Sequence, residues 1–199
     1  GYDVRSKLGL RLEARRTPYV HRRVGYNFRM TEIQAAVGLG ELRRFDSWNL
    51  PRRRARAQEL MAGLAGHPLV RFAPVDTAAR QHAFWLVPFV LDTAKLACPM
   101  SDFVAAVQAE GASVQSVLWP EMYREEAFVA PHGFGTANYP FRDPANRPID
   151  YTAFDCSQAR ALAEATIAFW AHPTYTAAHM RADIRAFEKV ARHMMRTRP

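Results

Sequence analysis

Two side chains that could bind an anion, those of Asn27 and Arg29, lie in a short segment that leads into a predicted helix. Residues 25–30 read Gly-Tyr-Asn-Phe-Arg-Met, a composition that does not favour regular structure. Thr31 and Gln34 then have the spacing of a capping box, in which each side chain accepts a hydrogen bond from the backbone of the other residue. A guanidinium and an amide beside the positive end of a helix suit a phosphate. The segment therefore predicts an anion site at the entrance of a helix.

The helix that would hold this segment is predicted over residues 31–48. Its apolar residues recur at steps of three and four and then widen into a broad stripe, so we expect the helix to be well buried. These apolar residues are Ile33, Ala36, Val37, Leu39, Leu42 and Phe45. Residues 49–51 predict a break, and Pro51 suits the first turn of a second helix that continues to about residue 65.

The chain after residue 66 is predicted to form a smaller α+β unit. The candidate strands are residues 70–75, 82–91 and 112–118. Pro88 predicts a bulge or an edge within the second of them. Ser101 is the predicted cap of a helix over residues 102–110. The alternation of strand, helix and strand favours an open sheet backed by helices.

The last part of the chain contains a long loop and two further helices. Residues 130–150 are rich in Pro and Gly, and a substrate-side lid and a plain surface insertion both remain open for them. A helix is predicted over residues 156–167, with Ala159, Leu162, Ala163 and Ile167 facing inward, followed by a strand at 168–170. Thr176 is the predicted cap of the last helix. The apolar stripe of that helix is Met180, Ile184, Phe187, Ala191 and Met194.

The charge of the chain comes almost entirely from arginine. The 199 residues are 49% apolar and carry a formal net charge of +8, with 24 Arg and only 3 Lys. This composition predicts a globular protein, and no apolar run is long enough for a membrane span. Six arginines between residues 43 and 56 fit either a nucleic-acid-binding patch or the solvated faces of two helices. We favour solvated faces, because no aromatic stacking motif is interleaved with the run.

The remaining polar residues show no established catalytic or metal-binding spacing. Cys98 and Cys156 lie far apart, so a zinc site is not expected and a cytoplasmic chain with free thiols is the default. His82 is interpreted as a satisfied histidine at the edge of the core. Asp183 and Glu188 are predicted to lie on the exposed side of the last helix.

Residues 25–38 resemble the G-Y-N-x-R-M-x-E-x-Q-A-A-x-G signature of the DegT/DnrJ/EryC1/StrS aminotransferases. The resemblance implies a pyridoxal-phosphate enzyme that aminates a keto-sugar or cyclitol ketone, with glutamate or glutamine as the amino donor. It also implies a homodimer in which Asn27 and Arg29 reach the cofactor phosphate of the neighbouring subunit. The implied fold is α/β, the C-terminal part of a fold-type-I (aspartate aminotransferase-like) transferase with an α+β small domain.

Three further residues are implied by the resemblance to border the substrate: Tyr26, Trp119 and Tyr123. Trp119 stands where the family commonly has Tyr, and Tyr123 stands where it commonly has His. The segment Pro-Glu-Met-Tyr-Arg that begins at Pro120 is nearer to the cyclitol and scyllo-inosose aminotransferases than to the nucleotide-sugar members.

The resemblance also divides the chain and raises the question of a Schiff-base lysine. Residues 1–66 would be the end of the large cofactor domain with its linking helices, and residues 67–199 the small C-terminal domain. Lys7 lacks the Ser-x-His-x-x-Lys context of the family, so it is interpreted as a surface charge. The sequence starts without Met and without an apolar signal segment. We therefore expect the catalytic lysine to precede Gly1, and the 199-residue chain alone to have no turnover.

Overall fold

The computed structural model describes residues 30–117 and 121–196, which fall into two compact units. One unit contains residues 30–117 and 162–196, and the other contains residues 121–161. The helices are α1 (Glu32–Arg43), α2 (Leu50–Gly63), α3 (Met100–Ala109), α4 (Glu126–Val129), α5 (Ser157–Glu164) and α6 (Ala177–Met194). The strands are β1 (Val70–Phe72), β2 (Leu86–Leu91), β3 (Val114–Ser116) and β4 (Thr166–Trp170). None of these helices has both the length and the apolar character of a membrane span. The domain boundary at residue 66 stays a prediction.

Helix α1 begins as the sequence predicts. The Thr31 side chain accepts a hydrogen bond from Gln34 N at 3.3 Å, and the Gln34 side chain accepts one from Thr31 N at 2.9 Å, which confirms the capping box. The predicted burial of this helix is wrong, because α1 has no buried residue in the described part of the chain. Ile33 and Leu42 keep 79% and 70% of their surface exposed. Apolar residues occur on all sides of α1, so the helix has no single face that would turn toward a core.

The predicted break at residues 49–51 is also wrong, because the chain stays helical from α1 into α2. Residues Phe45–Asn49 form a π-helical turn, in which Asn49 N donates a hydrogen bond to Arg44 O at 3.1 Å. Pro51 does lie in the first turn of α2, as predicted. A proline is tolerated there because its ring fits helical backbone angles and an N–H in a first turn needs no helical partner.

The four strands form one antiparallel sheet in the order β1-β2-β4-β3. Strand β2 is an inner strand of this sheet, although Pro88 predicts an edge or a bulge there. Strand β1 pairs only with Val90 and Leu91 at the end of β2, so Pro88 has a strand neighbour in the described sheet on one side only, at Ala168 of β4. The proline therefore occupies a place in β2 where a missing N–H is tolerated.

The core lies between the sheet and helices α2, α3 and α6. Phe187 of α6 lies near its centre, with its ring centroid 5.5 Å from that of Phe103 and 6.3 Å from that of Phe169. The predicted cap of α6 at Thr176 is confirmed. The predicted cap of α3 is wrong, because the helix begins at Met100 and Ser101 lies within its first turn.

The end of α5 corrects another predicted boundary. The helix ends at Glu164 rather than at residue 167, and the chain enters β4 at Thr166. Ile167 is buried as expected, but it lies in the strand. Leu162, which was expected to face inward, is 55% exposed. Because β4 pairs with strands on both sides, the hydrogen bonds of the sheet replace a further turn of helix at this point.

The unit of residues 121–161 has a small aromatic cluster of its own. The ring of Phe128 in α4 lies 6.2 Å from the ring of Phe141 and 5.1 Å from that of Tyr151, between centroids. Backbone hydrogen bonds form several turns between residues 130 and 150. The long loop is therefore held by ring contacts and turns rather than by helices or strands. A lid and a surface insertion both stay predictions for it.

Candidate functional site

One of the predicted site residues lies in the described part of the chain. Tyr123 is described, whereas Tyr26, Asn27, Arg29 and Trp119 lie outside the described residues, and their roles stay predictions. The structure therefore describes the surroundings of the predicted site through two groups of residues that adjoin it in the sequence. These are the residues that open α1 and those that follow residue 120.

The chain enters α1 at the surface, since residues 30–34 are all exposed. The capping box already binds two amides at this end of the helix. Glu32 adds a negative charge in the first turn, which weakens the attraction of the helix end for another anion. An anion at this entrance would therefore depend on the side chains of Asn27 and Arg29 more than on the helix itself. Amide and guanidinium donors fit a phosphate, and this assignment of Asn27 and Arg29 stays a prediction.

The two lysines among the described residues are engaged in ion pairs. Lys95 Nζ lies 3.2 Å from Asp92 Oδ2, and Lys189 Nζ lies 2.7 Å from Glu110 Oε2. A Schiff-base lysine must be deprotonated to react, which a neighbouring carboxylate opposes. Neither side chain therefore has the surroundings of a Schiff-base residue. Lys7 lies outside the described residues.

Glu121 is the centre of a polar cluster in the unit of residues 121–161. Its carboxylate accepts two hydrogen bonds from Arg160, from Nε at 2.8 Å and from Nη2 at 3.0 Å. It accepts a third from the Tyr123 hydroxyl at 2.6 Å and a fourth from Arg124 Nη1 at 3.3 Å. Only 8% of the Glu121 side chain is exposed. We refer to these four residues as the Glu121 cluster.

The electrostatics of the Glu121 cluster favour binding over proton transfer. Hydrogen bonds from Arg160, and then from Tyr123, lower the pKa of Glu121 to about 2, so the carboxylate is ionised at neutral pH. The hydrogen bond to Glu121 raises the pKa of Tyr123, so the phenol keeps its proton. Both groups therefore titrate far from neutral pH and are unsuited to acid–base catalysis there. The cluster can orient a ligand but does not exchange protons with it.

The Glu121 cluster also joins the two ends of its unit. The Tyr123 hydroxyl oxygen accepts a hydrogen bond from Cys156 N at 3.0 Å, and Arg160 Nη2 donates one to Asp155 Oδ1 at 2.7 Å. Sequence reasoning missed this connection, because Glu121 and Arg160 are 39 positions apart and no local spacing indicates that they pair.

The arginine-rich stretch of α2 is used largely inside the chain. Three of its guanidinium groups donate to distant backbone carbonyls: Arg53 to Ala171 at 3.5 Å, Arg54 to His82 at 3.1 Å and Arg56 to Tyr175 at 3.3 Å. All three arginines are half-buried, so the prediction of a solvated face is wrong for them. Arg44 and Arg52 lie over the ring of Trp48, 4.9 and 5.0 Å from its centroid. These contacts occupy groups that the nucleic-acid alternative would need.

Asp183 is buried, so its predicted place on the exposed side of the last helix is wrong. It is 4% exposed, and its Oδ1 accepts a hydrogen bond from Ser113 N at 3.2 Å. Its Oδ2 is buried and has no hydrogen-bond partner among the described residues. Burial raises the pKa of Asp183, while the bond from Ser113 and the nearby His179 oppose this rise.

The other titratable residues that the structure describes form no cluster suited to a metal ion. Among residues 30–117 and 121–196, no group of three or more His, Cys, Asp or Glu side chains is arranged to hold a metal ion. His82 Nδ1 lies 2.7 Å from Asp76 Oδ1, and its ring stacks on Phe84 at 5.1 Å between centroids. These contacts agree with the prediction of a satisfied histidine at the edge of the core.

Solved structures of three enzymes share this fold. An aminotransferase from Psychrobacter cryohalolentis is 23% identical, with a TM-score of 0.62 over 85% of this chain and 41% of its own. Helicobacter pylori PseC, an aminotransferase involved in the biosynthesis of pseudoaminic acid, is 15% identical, with a TM-score of 0.65 over 86% of this chain and 40% of its own. The GDP-4-keto-6-deoxy-D-mannose-3-dehydratase of E. coli, with hydrated PLP bound, is 13% identical, with a TM-score of 0.58 over 82% and 36%.

These likenesses confirm the predicted fold class, a mixed α/β arrangement of the fold-type-I class with a small antiparallel sheet. The chain spans less than half the length of each of the three enzymes. Curated protein sequences give no significant match. The model of the DegT/DnrJ/EryC1/StrS aminotransferase family matches residues 5–140, which include the segment that carries the signature. The chain belongs to the DegT/DnrJ/EryC1/StrS aminotransferase family.

Proposed function

We propose that this chain is the C-terminal part of a pyridoxal-phosphate-dependent aminotransferase that transfers an amino group from glutamate or glutamine to a keto-sugar or a cyclitol ketone. The observation that carries the proposal is the family match over residues 5–140, which contains the continuous signature at residues 25–38. The capping box at the start of α1 supports it, because the box fixes the first turn of the helix that follows Asn27 and Arg29 in the sequence.

Asn27 and Arg29 are the residues that we assign to the cofactor phosphate. When bound, pyridoxal phosphate supplies the electron sink that lets the amino group leave one substrate and join another. Arg29 would provide a charged, bidentate donor to the phosphate, and Asn27 a neutral one. The exposed entrance of α1 supports a phosphate held in a neighbouring subunit, and hence a homodimer. The Schiff-base lysine is assigned to a part of the protein before Gly1, since Lys95 and Lys189 are ion-paired.

Amino-group transfer has to be separated from dehydration, because the E. coli enzyme with this fold is a dehydratase. An aminotransferase consumes one amino donor for each acceptor that it aminates. We therefore expect the full-length protein, loaded with pyridoxal phosphate, to convert glutamate into 2-oxoglutarate or glutamine into 2-oxoglutaramate in a single turnover without any acceptor. When the ketone acceptor is then added, the donor's nitrogen should appear in the aminated product. Absence of the corresponding oxo acid with both donors, or an acceptor product without the donor's nitrogen, would contradict the proposal.

The phosphate assignment has a separate test in the same protein. Arg29→Met should weaken the affinity for pyridoxal phosphate roughly 10- to 100-fold, because it removes a hydrogen-bonded charge from the phosphate. Arg43→Met is the matched control, since Arg43 is an exposed arginine in the last turn of α1. The affinity is measured by titrating the apoprotein with the cofactor. Equal affinity in the Arg29 variant and the control would remove Arg29 from the site.

A further inference from the structure

The Tyr123 hydroxyl has a fixed direction of hydrogen bonding. It donates its only proton to Glu121 Oε1 at 2.6 Å, and it accepts a hydrogen bond from Cys156 N at 3.0 Å. A phenolic oxygen can accept a further hydrogen bond but has no second proton to donate. Tyr123 can therefore act toward a ligand only as a hydrogen-bond acceptor.

This direction is maintained by Glu121. The carboxylate accepts hydrogen bonds from three side chains, and 8% of the Glu121 side chain is exposed. A carboxylate that stays ionised is an acceptor only, so the Tyr123 proton cannot turn away from it without leaving a buried charge short of a partner. In agreement with this contact, the pKa of Glu121 is lowered and the pKa of Tyr123 is raised.

The geometry around Tyr123 is also rigid. Its ring packs against Phe154 with centroids 6.2 Å apart, and the 3₁₀ turn Met122–Arg124 carries it. Arg160 holds Glu121 with two hydrogen bonds and holds Asp155 with a third. The hydroxyl is thus fixed by contacts from both ends of the unit, while the residue as a whole remains half-exposed.

We propose that Glu121 is a positioning residue that fixes the Tyr123 hydroxyl as an acceptor for a hydroxyl group of the ketone substrate. The inference rests on the proposed function and on the position beside the substrate that the family resemblance implies for Tyr123. It adds a substrate preference to that function. The enzyme should prefer polyhydroxylated ketones that have a free hydroxyl group at the contact with Tyr123 over analogues that lack this hydroxyl group. Keto-sugars and cyclitol ketones both supply such a group.

The kinetic test uses the full-length protein and measures the two half-reactions separately. The acceptor is either scyllo-inosose or a nucleoside-diphosphate 4-keto-6-deoxyhexose, whichever the wild type aminates. Tyr123→Phe should raise KM for this acceptor roughly 3- to 10-fold, the effect of one neutral hydrogen bond, and leave the reaction with the amino donor unchanged. Glu121→Gln should raise the same KM. Glu110→Gln, which breaks an exposed ion pair with Lys189, is the matched control and should change neither reaction.

The double variant shows whether Glu121 acts through Tyr123. If it does, Glu121→Gln should add no further loss once Tyr123 is Phe. The proposal would be overturned if the fold-increases in KM of the two single variants multiplied in the double variant. So would an unchanged KM in Tyr123→Phe.

A phenol titration tests the contact without any activity. The ultraviolet difference between the wild type and Tyr123→Phe should show Tyr123 ionising at a higher pH than a free tyrosine, and Glu121→Gln should bring that ionisation back toward the ordinary pH. An ordinary titration in the wild type would overturn the positioning role, even if Glu121→Gln fails to fold. If the wild type releases neither 2-oxoglutarate from glutamate nor 2-oxoglutaramate from glutamine, the proposed function fails and the substrate part of this inference fails with it. The titration then still decides whether Glu121 positions Tyr123.

Discussion

Asp183 combines deep burial with an incomplete set of hydrogen bonds. One oxygen accepts from Ser113 N, and the other has no partner among the described residues. An ionised carboxylate in such a place opposes folding, because it has lost water and has not regained all of its hydrogen bonds. The raised pKa of Asp183 has the same cause.

We expect Asp183→Asn to raise the free energy of unfolding at neutral pH, by up to about 1 kcal/mol. The folded state binds the Asp183 proton more tightly than the unfolded state, so wild-type stability rises as the pH falls through the folded pKa toward the unfolded value near 3.9. The side chain of the Asn variant has no titrating proton, so its contribution to stability does not depend on pH in this range. Its advantage should therefore be largest at neutral pH and disappear below about pH 4. Urea unfolding at a series of pH values measures both effects.

Two further variants make this prediction specific. Asp183→Ala removes the acceptor of Ser113 N and should destabilise the protein by about 1–3 kcal/mol. Glu188→Gln, a change of the same kind on the same helix, should not alter the pH profile. If the free energy of unfolding of the Asn variant equals that of the wild type at every pH, ionisation of Asp183 does not destabilise the folded protein.

Single residues were predictable where the determining contact is local. Thr31 with Gln34, and Thr176 at the start of α6, are recognised by a spacing of three residues and form the caps that were expected. Asp183 was misplaced because its environment depends on Ser113, 70 positions away. The Glu121 cluster was missed for the same reason.

Helices α2 and α6 approach each other closely at Gly63. A Cβ on this residue would overlap the Cδ1 atom of Ile184, which is half-buried between the helices. Arg53 and Arg56 hold the same face of α2 to the segment before α6 through backbone carbonyls. The glycine is therefore needed for the distance between two helices rather than for an unusual backbone angle.

Gly63→Ala should destabilise the protein by up to about 1 kcal/mol, although alanine is the better helix former, because the added methyl group forces the end of the Ile184 side chain out of its present rotamer. Ile184→Val removes the overlapping atom, so the double variant should recover a large part of the loss. Chemical denaturation of the four proteins in the double-mutant cycle gives the coupling energy. Gly38→Ala is the control, since nothing lies within 4 Å of that position in α1. Additive losses at Gly63 and Ile184 would contradict the close approach.

The interiors of the elements were easier to predict than their ends. The buried residues of α3 and the stripe of α6 follow helical periodicity. The ends of α3 and α5 were displaced because a cap or a neighbouring strand decides them, and neither is visible in the periodicity. The chain also stays helical through residues 49–51, since a proline in a first turn does not stop a helix that is already formed upstream.

Stability should be distributed unevenly over the unit of residues 30–117 and 162–196. Strands β2 and β4 and helices α3 and α6 contribute the largest fully buried side chains, which are Phe89, Phe169, Phe103 and Phe187. Helix α1 contributes none within the described residues. A helix without buried contacts keeps only its internal hydrogen bonds, which are marginal for 12 residues in water.

We expect the amides of α1 to exchange hydrogen at least about 100-fold faster than those of α6 in the 199-residue chain, since α1 can open without disturbing the core. Hydrogen exchange measured by mass spectrometry on peptides from the two helices tests this. Peptides from α2 serve as the control, because α2 continues from the same helical stretch but buries Ala57 and Leu60. Equal protection of α1 and α6 would contradict the prediction.

At the scale of the molecule, the sequence predicted the fold class but not which surface covers each apolar stripe. The pattern of α1 correctly marks a helix rich in apolar residues, yet no pattern states what it packs against. The same holds for the arginines of α2, whose partners lie more than 100 positions away in two cases. Contacts of this kind depend on the complete fold.

The π-helical turn Phe45–Asn49 sets the rotation of α1 about its axis relative to α2. It inserts one residue more than a regular α-helical turn would contain, and each residue of an α-helix turns the chain by about 100°. Losing a single residue there would leave α2 seated as it is and rotate every side chain of α1 by that angle. The first turn of α1 would then face a different direction, so the length of this π-helical turn sets the orientation of the helix end that follows the segment with Asn27 and Arg29 in the sequence.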